Sequence, residues 1–484
     1  MSDLVKLTIE GQEVEVPAGT SVLEAAKLTG VLIPHYCYHP GLPVAGSCRM
    51  CLVDVEKSPK PVPSCATPVA PGMVVHVNSE QAQAARRSVL EFLLINHPLD
   101  CPICDKAGEC TLQDYTFQEG RAAGRYADYP KRYNPVEDFG PDILYVPNRC
   151  VLCTRCVRFM EDVAREPALN VEERGDRAHI GVFEGRELDH PWAGNVVDLC
   201  PVGSLLSKDF LNKARVWDFD KTPSVCAGCT QGCNVVLETR ENAVVRVRPR
   251  PNPDVNKFWM CDEGRLNYAW LNRSDRIEAP LVRQGDRLVP ADWEQALERA
   301  AELMGAVDGP WVGLVSPGAS SEALEAAAAL LALRGGSGAF RVREGPEAPL
   351  AGVADLALRK ERAPNVHGAL AAGFSRDWAA AVERARSAGL VLALDDALAG
   401  VAAPLTQGRL VYVGTVLPEV ARSAAVVLPC ANVAEEEGTF QNLRGVKQRY
   451  AQAKTPPGMA RPAAWVLGEL RAALVSRVGG GARP

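Results

Sequence analysis

No run of about 18 consecutive apolar residues occurs anywhere in this 484-residue chain, so it offers no helix of its own to span a membrane. The alanine-rich stretch from Glu322 to Leu333 comes nearest, but it is short and bounded by charge and glycine. The N-terminus, MSDLVKLTIEGQEVEV, lacks a basic segment followed by an apolar core and alternates like a strand. That argues against a secretory signal and for a cytoplasmic chain that meets a membrane only through partners. A basic field is missing too: 53 Lys and Arg against 59 Asp and Glu give a net charge of −6 with the signs mixed, so nucleic acid is not an expected partner. No G-x-G-x-x-G follows a strand and no Walker loop occurs, so no nicotinamide, flavin or nucleoside triphosphate site is expected in this chain. The second half is almost without sulfur: of the 16 cysteines only Cys430 lies beyond Cys261, and a lone thiol in VVLPC reads as a small buried apolar side chain.

What is present is thiol-rich and local. Fifteen cysteines between Cys37 and Cys261 do not make a disulfide framework in a reducing cytoplasm, and a chain long enough for three or four domains needs no such staples. Metal ligation is the expected use. Around the cysteines, Val5, Leu7 and Ile9 alternate with polar residues before Gly11-Gln12 turns into a run with Val14 and Val16, a predicted hairpin. Ser21 with Glu24 reads as a capping box for a following helix. A Pro/Gly-rich loop from Pro34 to Gly46 precedes CRMCLVDVE, which falls into a strand. Gln81 to Asn96 has helical spacing and delivers the chain to His97. Beyond about Arg273, WVGLVS, GLVLALDD, RLVYVGT and AAVVLP are short apolar runs between alanine-rich helical stretches, the pattern of a parallel α/β layer. The terminal GGGARP is expected to be disordered.

The ligand residues form four groups. Cys37 is followed after ten residues by Cys48, after two more by Cys51 and after thirteen by Cys65. A plant-type [2Fe–2S] site likewise puts its cysteines on one loop with a remote fourth, although with a shorter first gap; a zinc ribbon would want two close pairs. Gly41 and Gly46 can let backbone N–H groups approach the sulfurs, and His35 and His39 are read as surface residues rather than ligands. His97, Cys101, Cys104 and Cys110 supply four ligands within fourteen residues, suited either to a [4Fe–4S] cluster or to a structural zinc. Cys150, Cys153 and Cys156 form a ferredoxin triplet whose fourth ligand is Cys200 in a Cys-Pro pair, while His190, Ala193 and Val196 stand where a second triplet would fall. One cubane is predicted there, and a zinc site would have no use for the remote Cys-Pro. Cys226, Cys229, Cys233 and Cys261, separated by two, three and 27 residues, again suit [4Fe–4S], with zinc as the alternative.

Residues 1 to about 270 resemble the large (75-kDa type) iron–sulfur subunit of respiratory complex I, the NADH:quinone oxidoreductase. The resemblance rests on SCRMCLVDVEKSPKPVPSC, NHPLDCPICDKAGEC, NRCVLCTRCVRF with DLCPVGSLL, and CAGCTQGC with its late Cys261. It implies a [2Fe–2S] cluster on the first group and [4Fe–4S] clusters on the other three, in a chain that conducts electrons from NADH oxidation in a flavin-bearing partner toward quinone. The implied partners are the NADH/FMN-binding flavoprotein subunit, the small [2Fe–2S] subunit and the quinone-proximal subunits, on the cytoplasmic side of the membrane. From residue 216 onward the chain resembles molybdopterin oxidoreductases, with AAVVLPCANVAEEEGTFQNLRG similar to their signature near a pterin. Here Glu263 of CDEGR replaces an expected lysine, and no cysteine between Cys261 and Cys430 is left to ligate molybdenum, so a shortened domain without molybdopterin is expected. The expected architecture is multidomain α+β and α/β: a β-grasp [2Fe–2S] ferredoxin-like domain over 1–79, a histidine-plus-three-cysteine [4Fe–4S] domain over 80–120, a ferredoxin-like [4Fe–4S] domain over 121–220, a molybdopterin-oxidoreductase-type [4Fe–4S] domain over 221–272 and a molybdopterin-oxidoreductase-like α/β domain over 273–484. The competing readings are a molybdenum formate dehydrogenase, a hydrogenase-linked electron carrier and a zinc-held scaffold.

Overall fold

The structure, a computed structural model, describes residues 4–126, 133–401, 405 and 409–480; the terminal GGGARP lies outside them from 481 on. The chain divides into two compact units, Met1–Asp218 with Leu350–Ala354, and Phe219–Pro349 with Asp355–Pro484. Among the described residues no helix is long and apolar enough to cross a membrane.

The first unit opens with the predicted hairpin. Leu4–Ile9 pairs antiparallel with Gln12–Pro17, Val5 opposite Val16 and Leu7 opposite Val14. The two-residue turn has positive φ at both Glu10 and Gly11, 49° and 77°, the mirror-image turn that matches strand twist. Three further strands complete a five-stranded sheet in the order Gln12–Pro17, Leu4–Ile9, Val74–His76, Leu52–Val55, Val62–Pro63. The helix Val22–Leu28 turns Val22, Leu23, Ala25 and Ala26 inward. Its cap is half of what the sequence suggests: Ser21 Oγ accepts from Glu24 N–H at 3.2 Å, but the Glu24 carboxylate takes Lys27 Nζ and the Tyr38 hydroxyl, each at 2.6 Å. The helices Glu80–Leu94 and Thr111–Glu119 flank the His97–Cys110 loop. Arg86, fully buried on the first, reaches Val77 O at 2.8 Å and Glu119 on the second at 3.0 Å.

The second unit contains the antiparallel sheet Asp220–Val225, Asn234–Arg240, Ala243–Pro249 and a seven-stranded sheet. In the larger sheet Val426–Pro429, Leu410–Gly414, Leu390–Leu394, Trp311–Val315 and Ser337–Phe340 are parallel in that order. These are the four predicted apolar runs plus SGAF. Alternate residues feed two cores: Leu390, Leu392 and Leu394 pack with the helices Trp293–Ala306 and Ser321–Ala332, and Val391 and Ala393 with Trp378–Ser387. Burial on both faces is why these strands read as unbroken apolar runs. The edge hairpin Leu281–Gln284 with Arg287–Pro290 is an addition to the sequence reading. Its signal is QGDR between two short runs, with Gly285 at φ +58°.

Candidate metal centres

In the first group Cys37, Cys51 and Cys65 are buried and Cys48 is half-buried. Gly46 and Arg49 take positive φ, 60° and 58°, curling the loop around the sulfurs. Cys51 and Cys65 Sγ lie 3.3 Å apart, and Cys37 N–H donates to Cys48 Sγ at 3.4 Å. Hydrogen bonding from Cys65 brings the Cys51 thiol down to about 7, and Cys48 holds Cys37 far below the usual thiol range while itself being pushed up. The thiols share protons because they sit too close to ionise together, and a thiophilic cationic centre takes up such a set by displacing those protons. Gly41 N–H, expected to face the sulfurs, is taken by His39 Nδ1 at 3.1 Å. Neither histidine is a surface residue: both rings are half-buried, His35 Nδ1 lies 2.7 Å from Ile33 O, and burial lowers His39 to about 3.

In the second group His97 is half-buried just beyond the helix Glu80–Leu94, Cys101 begins a short turn and is exposed, and Cys104 and Cys110 are buried with their thiols pushed up by burial. This loop leans on the Cys200-Pro201 segment. Thr111 N–H and Oγ1 both donate to Pro201 O, at 2.9 and 3.0 Å, and a Cβ on Gly203 would lie 2.1 Å from Cys104 Sγ. Arg215 Nη1 donates to Cys104 O at 2.7 Å. Gly203 escaped the sequence reading, because nothing in DLCPVGSLL says what its bare Cα faces.

The third group is the most completely assembled. Cys150, Cys153, Cys156 and Cys200 all line one small cavity, with Tyr145, Arg155, Ile180, Pro201 and Ser204. Leu152 and Thr154 adopt positive φ, 48° and 58°, so the chain doubles back between cysteines, and Leu152 N–H donates to Cys150 Sγ at 3.4 Å. Burial pushes Cys153 up to about 12 and Cys156 well above the usual thiol range. Ionised sulfurs in such a place need a cationic group among them.

In the fourth group, in the second unit, Gly228 N–H donates to Cys226 Sγ and Gly264 N–H to Cys261 Sγ, each at 3.4 Å. Burial raises all four thiols, Cys226 to about 12. Among the described residues no three His, Cys, Asp or Glu side chains converge as they would around a single ion. Cys430 is buried in the core beside the parallel strands, as the sequence suggested.

Cys226 also walls a cavity of about 1060 Å³ in the second unit. The residues after the five parallel strands, Ser316, Arg341, Asp395, Thr415 and Cys430, all line it, which is where open α/β sheets hold ligands. Its cations are largely matched: Arg273 pairs with Asp275 at 2.5 Å, Arg276 with Glu435 at 2.7 Å and Arg362 with Glu263 at 3.1 Å. Glu436, a buried residue that also lines it, accepts from the Tyr450 hydroxyl at 2.9 Å, and burial lifts its carboxyl from the ordinary 4.5 to about 7. The fold therefore favours protonated Glu436: a contribution on the order of 3 kcal/mol is complete below pH 4.5 and lost as pH rises through about 7. Protection against hydrogen exchange in the strand Lys447–Tyr450, corrected for the intrinsic rate, should fall as pH rises from 4.5 to about 7, and Glu436→Gln should flatten that dependence.

Five family models match the chain: 2Fe-2S iron-sulfur cluster binding domain over residues 2–80, NADH-ubiquinone oxidoreductase-G iron-sulfur binding region over 86–125, NADH-quinone oxidoreductase subunit 3, ferredoxin-like domain over 140–206, Molybdopterin oxidoreductase Fe4S4 domain over 219–273, and Molybdopterin oxidoreductase over 409–473. The NADH-quinone oxidoreductase G subunit of Rickettsia bellii is 44% identical over 299 residues, 62% of this chain and 44% of its own length. The mitochondrial NADH-ubiquinone oxidoreductase 78 kDa subunit of Neurospora crassa is 47% identical over 61% of this chain and 40% of its own length. A chain in a crystal structure of NAD+-reducing [NiFe]-hydrogenase in the H2-reduced state is 32% identical, covering 44% of this chain and 91% of that one, with a TM-score of 0.39. The chain thus spans less than half the length of these two curated relatives. Over its first three-fifths, where the thiol groups lie in the same order as the matched iron–sulfur domains, the chain is similar to NADH-quinone oxidoreductase G subunits.

Proposed function

We propose that this chain is the electron-conducting iron–sulfur subunit of an NADH:quinone oxidoreductase. The observation that carries the reading is the closure of Cys150, Cys153, Cys156 and the distant Cys200 around one cavity. The proposed ligands are Cys37, Cys48, Cys51 and Cys65 for a [2Fe–2S] cluster, and, for three [4Fe–4S] clusters, His97 with Cys101, Cys104 and Cys110; Cys150, Cys153, Cys156 and Cys200; and Cys226, Cys229, Cys233 and Cys261. When bound, such clusters supply one-electron carriers. The chain's own residues bury the thiols and aim N–H groups from Leu152, Gly228 and Gly264 at sulfur, which stabilises negative charge there and tunes potential. His97, a neutral ligand in place of a thiolate, favours the reduced state of its centre.

In this reading a flavoprotein partner oxidises NADH, a small [2Fe–2S] subunit and quinone-proximal subunits complete the assembly, and the chain lies on the cytoplasmic face of the membrane. Molybdopterin is not part of this reading: three of the arginines lining the cavity, Arg273, Arg276 and Arg362, are already paired with Asp275, Glu435 and Glu263. The Cys226 centre then stabilises its domain rather than carrying current.

Anaerobic isolation of the native assembly tests this. The subunit should be brown, with about 14 iron atoms per chain, two from the [2Fe–2S] and four from each [4Fe–4S] cluster, and His97→Cys should shift the potential of one centre alone. A colourless chain carrying zinc would overturn the proposal, and stoichiometric molybdenum would revive the dehydrogenase reading.

A further inference from the structure

Two arginines three residues apart join ligand loops that are far apart in sequence. Arg155 and Arg158 lie on the single helical turn Arg155–Arg158 that carries Cys156. Arg158 Nη2 donates to Cys37 O at 2.6 Å and to Cys153 O at 3.1 Å, and its Nη1 donates to Pro43 O. Arg155 Nη1 donates to Leu199 O, beside Cys200, at 3.3 Å, while its Nη2 donates to Tyr38 O, beside Cys37. Each guanidinium therefore holds backbone carbonyls from both the first thiol group and the third. Arg155 also lines the cavity enclosed by the four thiols of the third group, and its buried Nε–H has no hydrogen-bond partner. Helical spacing forces the pairing: residues i and i+3 point the same way, so a helix started by Thr154 after Cys153 presents both side chains to the Cys37–Pro43 loop.

We propose that Arg155 and Arg158 form a two-pronged clasp that fixes the separation of the first and third centres and places positive charge between them, so that the two act as a tuned pair. The inference rests on the electron-conducting reading above. Both are positioning residues. The planar fork of arginine makes several directed bonds at once, which the point charge of lysine does not. A cation close to two carriers stabilises the more negative, reduced form of each, and so raises both potentials.

Redox titration of the native assembly followed by EPR separates charge from geometry. In Arg158→Gln the potentials of the first and third centres should both move negative, and the magnetic interaction between them when both are reduced should weaken, while the His97 and Cys226 centres keep their wild-type values. Arg158→Lys should restore the potentials but not the interaction, and it keeps the test open if the glutamine variant fails to assemble. Wild-type potentials and wild-type interaction in a fully loaded Arg158→Gln protein would overturn the clasp. That outcome is distinct from failure of the underlying reading, in which the wild-type protein itself would show no iron–sulfur signals.

Discussion

Replacing Gly203 with alanine should strip iron from the His97–Cys110 loop first. The new methyl carbon would stand 2.1 Å from Cys104 Sγ and 3.2 Å from Lys106 Cβ, far inside contact distance, so one partner has to move. The turn that carries Gly203 is the less free: Val146 N–H bonds Ser204 O at 2.7 Å, Ser204 Oγ bonds Val146 O at 3.0 Å, and Thr111 holds Pro201 O. The sulfur is therefore what shifts, on top of an overpacking cost of about 1–3 kcal/mol. EPR of the reduced protein should lose one [4Fe–4S] signal, with iron falling by about four atoms per chain. Native iron content and an unchanged spectrum in the alanine variant would show that the loop has more slack than the 2.1 Å approach implies.

Glu435→Ala should destabilise the second unit by about 3–5 kcal/mol, the usual consequence of removing one partner from a buried ion pair. The side chain of Glu435 is fully buried and that of Arg276 nearly so, and they meet through two parallel bonds, Nη1 to Oε1 at 2.7 Å and Nη2 to Oε2 at 2.8 Å. Asn432 N–H adds a bond to Oε2 at 3.0 Å, and Lys454 Nζ stands 3.5 Å from Oε1. Alanine would leave a guanidinium, an ammonium and an amide facing one another across a void. Denaturant unfolding of the second unit, compared with an Arg276→Met/Glu435→Leu double variant, measures the pair: the double variant should recover much of the loss. A loss below about 1 kcal/mol for Glu435→Ala would mean that water reaches the site.

The parts of this molecule that could be read from sequence are those whose physics is local. The hairpin turn, read at Gly11-Gln12 and found one residue earlier at Glu10-Gly11, the two-faced burial of Leu390–Leu394 and the spacing of Cys150, Cys153 and Cys156 each leave a pattern within a few residues. The rest depends on encounters between distant segments. Arg158 meets Cys37 O across 121 positions and Arg276 meets Glu435 across 159, and in the sequence each is one more charged residue in a mixed background. His35 and His39 read as surface groups because polarity is all the sequence shows, whereas packing half-buries both. Glu24 fits a capping box by spacing, but Lys27 and Tyr38 outcompete the Ser21 N–H for its carboxylate.

Leu152 and Thr154, both left-handed without being glycine, carry a consequence for how the third centre is filled. Unfavourable backbone conformations of about 1–3 kcal/mol each persist only where surrounding structure enforces them. The bend of the loop is thus imposed by the packing around it and not by the local preference of its own residues. A substitution that loosens those neighbours would therefore let this corner spring open even with every cysteine in place.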